Sequence, residues 1–202
     1  MKLTVHPNTK GLIFDLDGTL IASIALHYKA YLKALEPYNV RFDMAYMFSF
    51  TGKPTVQCCE QIINDFGLPM TPEALKEKQE ALFMEHIHNI EVIEPVMNVV
   101  REHQGKIPMG IATGSDRAVV DLILEKTGIG QYMSAVVTCD DVTHPKPHPE
   151  TFAKCAHLLG VDPHTCMAFE DGDHGMTAAR EAGMKVVDVK PFYDKPLWNL
   201  NN

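Results

Sequence analysis

The chain has 202 residues, of which 46% are hydrophobic and 22% charged, so it can bury a sizeable core and is not expected to be disordered. Its formal net charge of -8 argues against binding to nucleic acid or to an anionic membrane, because both would repel it. Five cysteines without a Cys-x-x-Cys pair, no signal-peptide core and no apolar run near the roughly 18 residues of a membrane span predict a cytoplasmic protein with reduced thiols.

The first part of the chain predicts one buried strand and then a block of helices. Residues 11–14 form an apolar run that is too short for a helix, which indicates a buried strand. Apolar residues at helical spacing follow, and proline, glycine and capping residues mark where the helices end. The predicted helices cover residues 23–35, 43–49, 55–66 and 71–88.

From residue 95 onwards, the pattern changes to helices that alternate with strands. The predicted helices cover residues 95–103, 116–127, 149–159 and 175–182, and the predicted strands cover residues 107–112, 135–138, 166–169 and 185–189. This alternation predicts an α/β fold, in which a parallel sheet carries helices on both faces. The helical block is then an insertion, so we expect a core domain of residues 1–20 and 95–202 and a helical cap domain of residues 21–94.

Two aspartates follow the first predicted strand. Asp15 and Asp17 project to the same side if the chain stays extended, while Gly18 and Thr19 permit a sharp exit. Two carboxylates this close resist simultaneous ionisation unless a cation lies between them or one keeps its proton. The pair therefore suits a hard divalent metal with oxygen ligands, and equally a nucleophile beside a general acid.

Ligands of open α/β sheets bind at the carboxyl ends of the strands, and a possible phosphate site follows the strand predicted at 107–112. There, the hydroxyl of Thr113 and the free amides of Gly114 and Ser115 are suited to hold a phosphate oxygen where a helix begins. A plain helix cap would use the same residue types. Thr113 to Ser115 therefore count as candidates because of the other groups at this edge.

A lysine and two more acids complete the predicted site. Lys146 stands among Pro145, Pro147 and Pro149, so a stiff loop presents its positive charge with little backbone entropy left to lose. Glu170 and Asp171 follow the strand predicted at 166–169 and would face Asp15. Together these acids predict an oxygen-rich magnesium site.

In chain order, these four groups resemble motifs I to IV of the haloacid dehalogenase (HAD) superfamily, with Asp-x-Asp-Gly-Thr-Leu at 15–20 as motif I. The resemblance covers almost the whole chain. Residues 52–55, 113–115 and 146–152 are similar to bacterial fructose-1-phosphate phosphatases of the β-phosphoglucomutase-like subgroup. The resemblance implies a Rossmannoid core with an inserted cap, Mg²⁺ as cofactor, and hydrolysis of a small sugar phosphate through an aspartyl phosphate.

The resemblance also implies a role for each matching residue. The catalytic residues would be Asp15 as nucleophile, Asp17 as acid and base, Thr113 and Lys146. The metal ligands would be Asp15, Asp17 and Asp171, with Glu170 bound through water. The phosphate and the sugar would contact Thr113, Gly114, Ser115, Lys146 and, from the cap, His27, Gly52, Lys53 and Thr55. Two departures from the family stand out: Ala-Ser-Ile-Ala at 22–25 replaces a more polar stretch, and Gly172 stands where serine is common.

Some alternatives remain open. A sugar phosphomutase is the nearest, although Thr55 stands where mutases of the subgroup place a cap arginine. A non-catalytic phospho-acceptor like a response regulator is a second alternative, but such proteins lack the equivalent of Asp17 and a large helical insertion. His27 is equally compatible with substrate contact and with packing. Zinc at histidines such as His144 and His148 is disfavoured, because neither thiols nor a helical His-x-x-x-His pair accompany them. We expect a monomer.

Overall fold

The computed structural model describes residues 2–193. At its centre lies a parallel sheet with the strand order β3-β2-β1-β4-β5. The strands are β1 (Gly11–Phe14), β2 (Met109–Ala112), β3 (Ala135–Val137), β4 (Cys166–Glu170) and β5 (Lys185–Asp188). Because β1 pairs with β2 on one side and with β4 on the other, the segments that follow these three strands meet at one edge of the sheet.

Eight α-helices accompany these strands within residues 2–193. They are α1 (Ile24–Leu35), α2 (Met44–Phe48), α3 (Thr55–Phe66), α4 (Pro72–Met84), α5 (Glu94–His103), α6 (Arg117–Thr127), α7 (Glu150–Leu158) and α8 (Asp173–Glu181). Alternation along β1 sends Leu12 and Phe14 into a cluster with α5 and α6, and Ile13 into a second cluster with α7 and α8. Both faces of the sheet are therefore covered, which confirms the predicted α/β fold with its Rossmannoid sheet.

The inserted helices α1 to α4 have a hydrophobic core of their own, which includes Tyr31, Cys59 and Leu75. The chain enters and leaves this region side by side, because Ile21 and Val92 form an antiparallel bridge. This bridge between the two connecting segments supports the predicted division into a core of residues 1–20 and 95–202 and a cap of residues 21–94. The division stays a prediction. Met1 and residues 194–202 of that core lie outside the described residues.

Some element boundaries differ from those expected. The helix predicted over 71–88 ends at Met84, and a separate turn of 3₁₀ helix covers Ile87–Asn89. The strand predicted from residue 107 begins at Met109, because Pro108 has no N–H to donate to the ladder, although its oxygen still accepts from Leu12 at 3.1 Å. Helix α8 begins two residues earlier than predicted, with Gly172 as its N-cap. None of these shifts moves a candidate residue away from the strand ends.

Two observations bear on the predicted compartment. All five cysteines lie in the described part of the chain as free thiols. Across residues 2–193, every helix is too short or too polar to cross a bilayer. The cytoplasmic location itself stays a prediction.

Candidate active site

Three buried carboxylates and a buried lysine meet at the carboxyl ends of β1 and β4. Asp15, Glu170 and Asp171 are 3%, 0% and 4% exposed, and one oxygen of each lies within 4.8 Å of the others. The Nζ of Lys146 donates hydrogen bonds of 2.7 Å to Oδ1 of Asp15 and to Oε1 of Glu170. Strand order explains this meeting, since β1 and β4 are neighbours and the loop before α7 reaches over their ends.

The negative charge of this group exceeds the positive charge beside it. Burial and the neighbouring Glu170 charge raise the pKa of Asp15 to about 8, although Lys146 opposes this. Burial, followed by the charges of Glu170 and Asp15, raises the pKa of Asp171 well above its usual range. Burial lowers the pKa of Lys146, but the two carboxylates outweigh it and raise that pKa above its ordinary value. An all-oxygen group with unbalanced negative charge fits a divalent cation such as Mg²⁺.

A glycine makes room for one of these carboxylates. Gly18 has a φ of +83°, and a Cβ there would lie 2.3 Å from Oδ2 of Asp171. A side chain would therefore be strained by its own backbone and would collide with the acid. The same left-handed turn ends the extended conformation after β1, and the N–H of Gly18 donates to the oxygen of Ile21 at 2.8 Å.

Asp17 lies beside the cap and has separate partners. Its carboxylate accepts from the hydroxyls of Ser23 at 2.5 Å and Ser115 at 2.6 Å, and His27 Nε2 lies 3.4 Å away. Burial raises the pKa of Asp17, but His27 and the two serines outweigh it and lower the pKa below its ordinary value. The carboxylate is not part of the group of Asp15, Glu170 and Asp171, so its position does not support the predicted metal contact, which stays a prediction.

The predicted phosphate site follows β2 and is more closed than expected. The N–H of Ser115 donates to Oγ1 of Thr113 at 3.1 Å, so that amide is not free in this conformation. Helix α6 begins only at Arg117, with Asp116 as its N-cap. Thr113 is buried, and a Cβ at Gly114 would lie 3.1 Å from the backbone oxygens of Gly52 and Lys53 in the cap. Glycine therefore lets the cap backbone approach the site closely.

A cavity of about 60 Å³ lies between core and cap. Its walls include every cap residue predicted from the sequence and most of the predicted core residues. They comprise His27, Gly52, Lys53 and Thr55 from the cap and Asp15, Asp17, Thr113, Gly114 and Ser115 from the core. The Nζ of Lys53 donates to Oε1 of Gln61 at 3.0 Å, so α3 holds the lysine head. The structure thus brings the cap candidates and five core candidates together around one space. Lys146, Glu170 and Asp171 are not in its wall and are connected to it through Asp15.

Close backbone contacts hold the cap loop against the turn after β4. A Cβ at Gly172 would lie 2.9 Å from the backbone oxygen of Thr51, and a Cβ at Gly52 would lie 3.0 Å from the nitrogen of Gly175. Gly52 also has a φ of +83°. In the sequence, Gly172 was only a departure from the family pattern. The structure gives a steric reason for it: the backbone of Thr51 lies so close that a side chain at position 172 would not fit.

His27 packs inside the cap and also lines the cavity, while its predicted contact with substrate stays a prediction. Its ring stacks on Phe83, with ring centroids 4.1 Å apart, and its Nε2 faces Asp17. Gln79, which is fully buried on α4, places its amide nitrogen 3.1 Å from His27 Nδ1. Because the amide donates, Nδ1 accepts and the Nε2 proton is directed at Asp17. Sequence reasoning missed both contacts of His27. Gln79 resembles a surface residue of its helix, and Phe83 resembles an ordinary apolar core residue.

A second cap–core contact lies outside the cavity and was also missed. The Nζ of Lys76 on α4 lies 2.8 Å from Oδ1 of Asp116, the N-cap of α6. Glu80, one turn further along α4, faces the same carboxylate. Burial and Asp116 raise the pKa of the half-buried Glu80 to about 7. This contact joins the two parts of the chain through one lysine and two acids.

Comparisons relate the chain to known proteins. Residues 12–189 match the family described as "Haloacid dehalogenase-like hydrolase". The chain is 40% identical over 181 residues to "Fructose-1-phosphate phosphatase YqaB" of Escherichia coli (strain K12), which covers 89% of this chain and 96% of that protein. A hydrolase of Pseudomonas syringae has the same fold, at 24% identity, a TM-score of 0.79 and coverage of 94% and 89%. So has a beta-phosphoglucomutase of Clostridium difficile, at 22% identity, a TM-score of 0.78 and coverage of 88% and 83%.

Proposed function

This chain belongs to the haloacid dehalogenase-like hydrolase family, and on that premise we propose that it is a Mg²⁺-dependent phosphatase of small sugar phosphates that acts through an aspartyl phosphate. The enzyme is a phosphoric monoester hydrolase, and the proposed substrates are of the fructose 1-phosphate or 6-phosphogluconate type. One observation carries the proposal: Asp15, held by Lys146, and Asp17, held by His27, line the same cavity between core and cap.

Asp15 is the proposed nucleophile. Lys146 holds its Oδ1, which fixes the side chain and leaves the other oxygen for attack on phosphorus. The new bond joins that oxygen to phosphorus, and the bond from phosphorus to the sugar oxygen breaks. Asp15, Asp17 and Asp171, with Glu170 through water, would hold Mg²⁺, which would neutralise charge on the transferring phosphoryl group.

Asp17 is the proposed acid and base. It gives a proton to the departing sugar oxygen in the first step and takes one from water in the second. The three donors around it favour the ionised form, which is the form that the second step needs. When the sugar oxygen replaces one of those donors, the pKa of Asp17 rises towards that of an acid.

The remaining residues stabilise charge and exclude water. Lys146, the hydroxyl of Thr113 and the backbone amide of Gly114 are proposed to contact the phosphoryl oxygens, where positioning and electrostatics supply most of the catalysis. The amide of Ser115 is proposed to join them when it leaves Thr113. The backbone oxygen of Gly52 in the cap lies 3.1 Å from the place of a Cβ at Gly114, so the cap loop lies close to this part of the site. Closure of the cap over the cavity is proposed to exclude bulk water during the reaction.

The cap favours hydrolysis over return of the phosphoryl group. A mutase must hold a bisphosphate in two orientations, which requires a second cationic site in the cap. Thr55 offers a hydroxyl, and the Nζ of Lys53 is held by Gln61, so the cavity wall has no bidentate phosphate clamp among its residues in the described part of the chain. The fold shared with a beta-phosphoglucomutase keeps mutase activity as the second candidate. A phospho-acceptor is disfavoured by Asp17 and by the cap.

We also propose that the protein acts as a monomer in the cytoplasm. One chain supplies the whole wall of the cavity, from both core and cap. The five thiols are free, which suits a reducing compartment. Neither nucleic acid nor a membrane is an expected partner, because the net charge of -8 would repel both.

A panel of sugar phosphates tests the proposal. Purified enzyme with Mg²⁺ should release phosphate from ketose 1-phosphates or sugar-acid phosphates, and EDTA should abolish release. Ca²⁺ should suppress it, since calcium accepts both oxygens of a carboxylate and would draw Asp15 away from phosphorus. A second arm offers β-glucose 1-phosphate with a trace of its bisphosphate. Faster formation of glucose 6-phosphate than of free phosphate would favour the mutase and contradict the proposal.

A further inference from the structure

We propose that His144, His148 and Glu150 form a binding site for a transition-metal ion of the Zn²⁺ type, separate from the acidic group at Asp15. The site lies on the exposed side of the loop that carries Lys146 and at the start of α7. It draws on none of the residues of the proposed phosphatase site, so each of the two proposals can fail without the other.

The three side chains already converge. The Nδ1 of His144 lies 3.0 Å from Oε2 of Glu150, and the Nδ1 of His148 lies 4.0 Å from the same oxygen. The two imidazole rings have centroids 4.7 Å apart, and one ligand atom of each of the three residues lies within 4.8 Å of the others. Because zinc bonds to nitrogen and oxygen measure about 2.0 to 2.2 Å, ligand atoms at these separations need only small side-chain rotations to share one ion.

The backbone that holds these ligands is constrained before any ion binds. Proline occupies positions 145, 147 and 149, so each histidine is followed by a residue with fixed φ. The carboxylate of Glu150 accepts from the backbone N–H of Thr143 and of His144, both at 2.9 Å. The N–H of Glu150 donates to Nδ1 of His148 at 3.3 Å, so His148 must give up this hydrogen bond to bind the ion through Nδ1. The backbone itself needs little further ordering on binding.

The donor set selects the class of metal. Two imidazole nitrogens and one carboxylate are typical ligands of Zn²⁺, Ni²⁺ or Cu²⁺, whereas Mg²⁺ prefers oxygen. The hydrogen bonds from Thr143 and His144 lower the pKa of Glu150, which keeps this ligand ionised. On binding, the proton that His144 Nδ1 now donates to Glu150 moves through water to Nε2 of the same ring, and the freed Nδ1 lone pair binds the ion. The exposed side leaves the remaining coordination positions to water.

A second cluster of candidate metal ligands differs from this site, because a lysine already contacts it. Asp116, Cys139 and Asp140 also converge, but the Nζ of Lys76 lies 2.8 Å from Asp116 and supplies the positive charge there. At His144, His148 and Glu150 the groups in contact are two imidazoles and a carboxylate. The sequence disfavoured zinc because no helix spaced two histidines, yet a proline-rich loop gives the same convergence.

Calorimetric titration with Zn²⁺ tests this proposal on the full chain, prepared without a histidine tag and with Mg²⁺ in excess. We expect one ion per chain, and binding weaker by about tenfold or more in His144→Ala and in His148→Ala. His157→Ala, which removes an exposed histidine from α7, is the matched control and should bind like wild type. Asp15→Asn should also keep the site.

A spectroscopic arm identifies the ligands. Co²⁺ in place of Zn²⁺ should give visible absorption bands that disappear in the His144→Ala, His148→Ala double variant, whose circular dichroism should match wild type because both side chains are exposed. Absence of stoichiometric Zn²⁺ binding would overturn the proposal. Equal binding by the double variant and wild type, or loss of binding in Asp15→Asn alone, would also overturn it.

Discussion

The Nζ of Lys146 lies 2.7 Å from Oδ1 of Asp15, and both side chains are at least 95% buried. Removal of the lysine would leave three buried carboxylates without their nearest positive charge. Lys146→Met should therefore reduce phosphate release by several orders of magnitude and lower the free energy of unfolding by about 3 kcal/mol in the absence of Mg²⁺. Phosphate release and urea unfolding measure the two effects. Lys126→Met, at an exposed position on α6, is the control, and a Lys146 variant that behaves like this control would contradict the assignment.

Cap closure depends on a glycine that faces the cap loop. A Cβ at position 172 would lie 2.9 Å from the backbone oxygen of Thr51, so Gly172→Ala should hold the cap away from the core. Its φ of −96° suits alanine, so the fold should persist. We expect turnover of sugar phosphates to fall by about tenfold or more because water enters the site. Gly130→Ala, whose Cβ would contact its nearest neighbour at an ordinary 3.6 Å, should be unaffected. Unchanged turnover in Gly172→Ala would show that this approach is not needed.

The acid pair at the second cap–core contact predicts a dependence of stability on pH. The pKa of Glu80 rises from an ordinary 4.5 to about 7 in the folded protein, through burial and the nearby Asp116. Between these values the folded state binds more protons than the unfolded state, so the free energy of unfolding falls as pH rises from about 4.5 through 7.

Glu80→Gln removes this titration. Its free energy of unfolding should exceed that of wild type above pH 7 by roughly 1 kcal/mol, after allowance for solvent screening. Urea unfolding of both proteins between pH 5 and 8 measures the difference. Parallel pH profiles for the two proteins would show that Glu80 does not titrate in this range.

The cap loop should govern which sugar is accepted more than it governs the chemistry. Lys53 and Thr55 line the cavity together with Asp15, whereas the residues proposed to bind the phosphoryl group belong to the core. Lys53→Ala and Thr55→Ala should change the ranking of sugar phosphates by more than they change the rate on p-nitrophenyl phosphate. Kinetic constants on both substrate types check this. Equal losses on every substrate would make the loop a structural element.

Much of this architecture follows from local patterns. Short apolar runs give the strands, helical periodicity gives the helices, and the carboxyl ends of parallel strands gather Asp15, Thr113 and Glu170. Lys146 could be selected as a candidate because it stands between two prolines in a stiff loop. These features depend on neighbours in the chain and on one general property of parallel sheets.

Other features depend on how the cap docks on the core, and local sequence patterns do not predict that docking. Gln79 behind His27, Lys76 on Asp116 and the approach of Thr51 to Gly172 each join segments that are far apart in sequence. The partners of Asp17 were also not predictable, because Ser23 and His27 reach it from the cap and Ser115 reaches it from the segment after β2. The apolar periodicity also does not predict that helix α4 ends as early as Met84.

The central claim is that Asp15 carries the phosphoryl group and that Asp17 activates water to remove it. Asp17→Asn with p-nitrophenyl phosphate separates the two steps, because nitrophenolate leaves without a proton and the base is missing for hydrolysis. Rapid mixing should give a burst of one nitrophenolate per active site, followed by slow turnover. Mass spectrometry after an acid quench should find one phosphoryl group on Asp15. No burst and no phosphoryl group on Asp15, with wild-type enzyme active under the same conditions, would contradict the account.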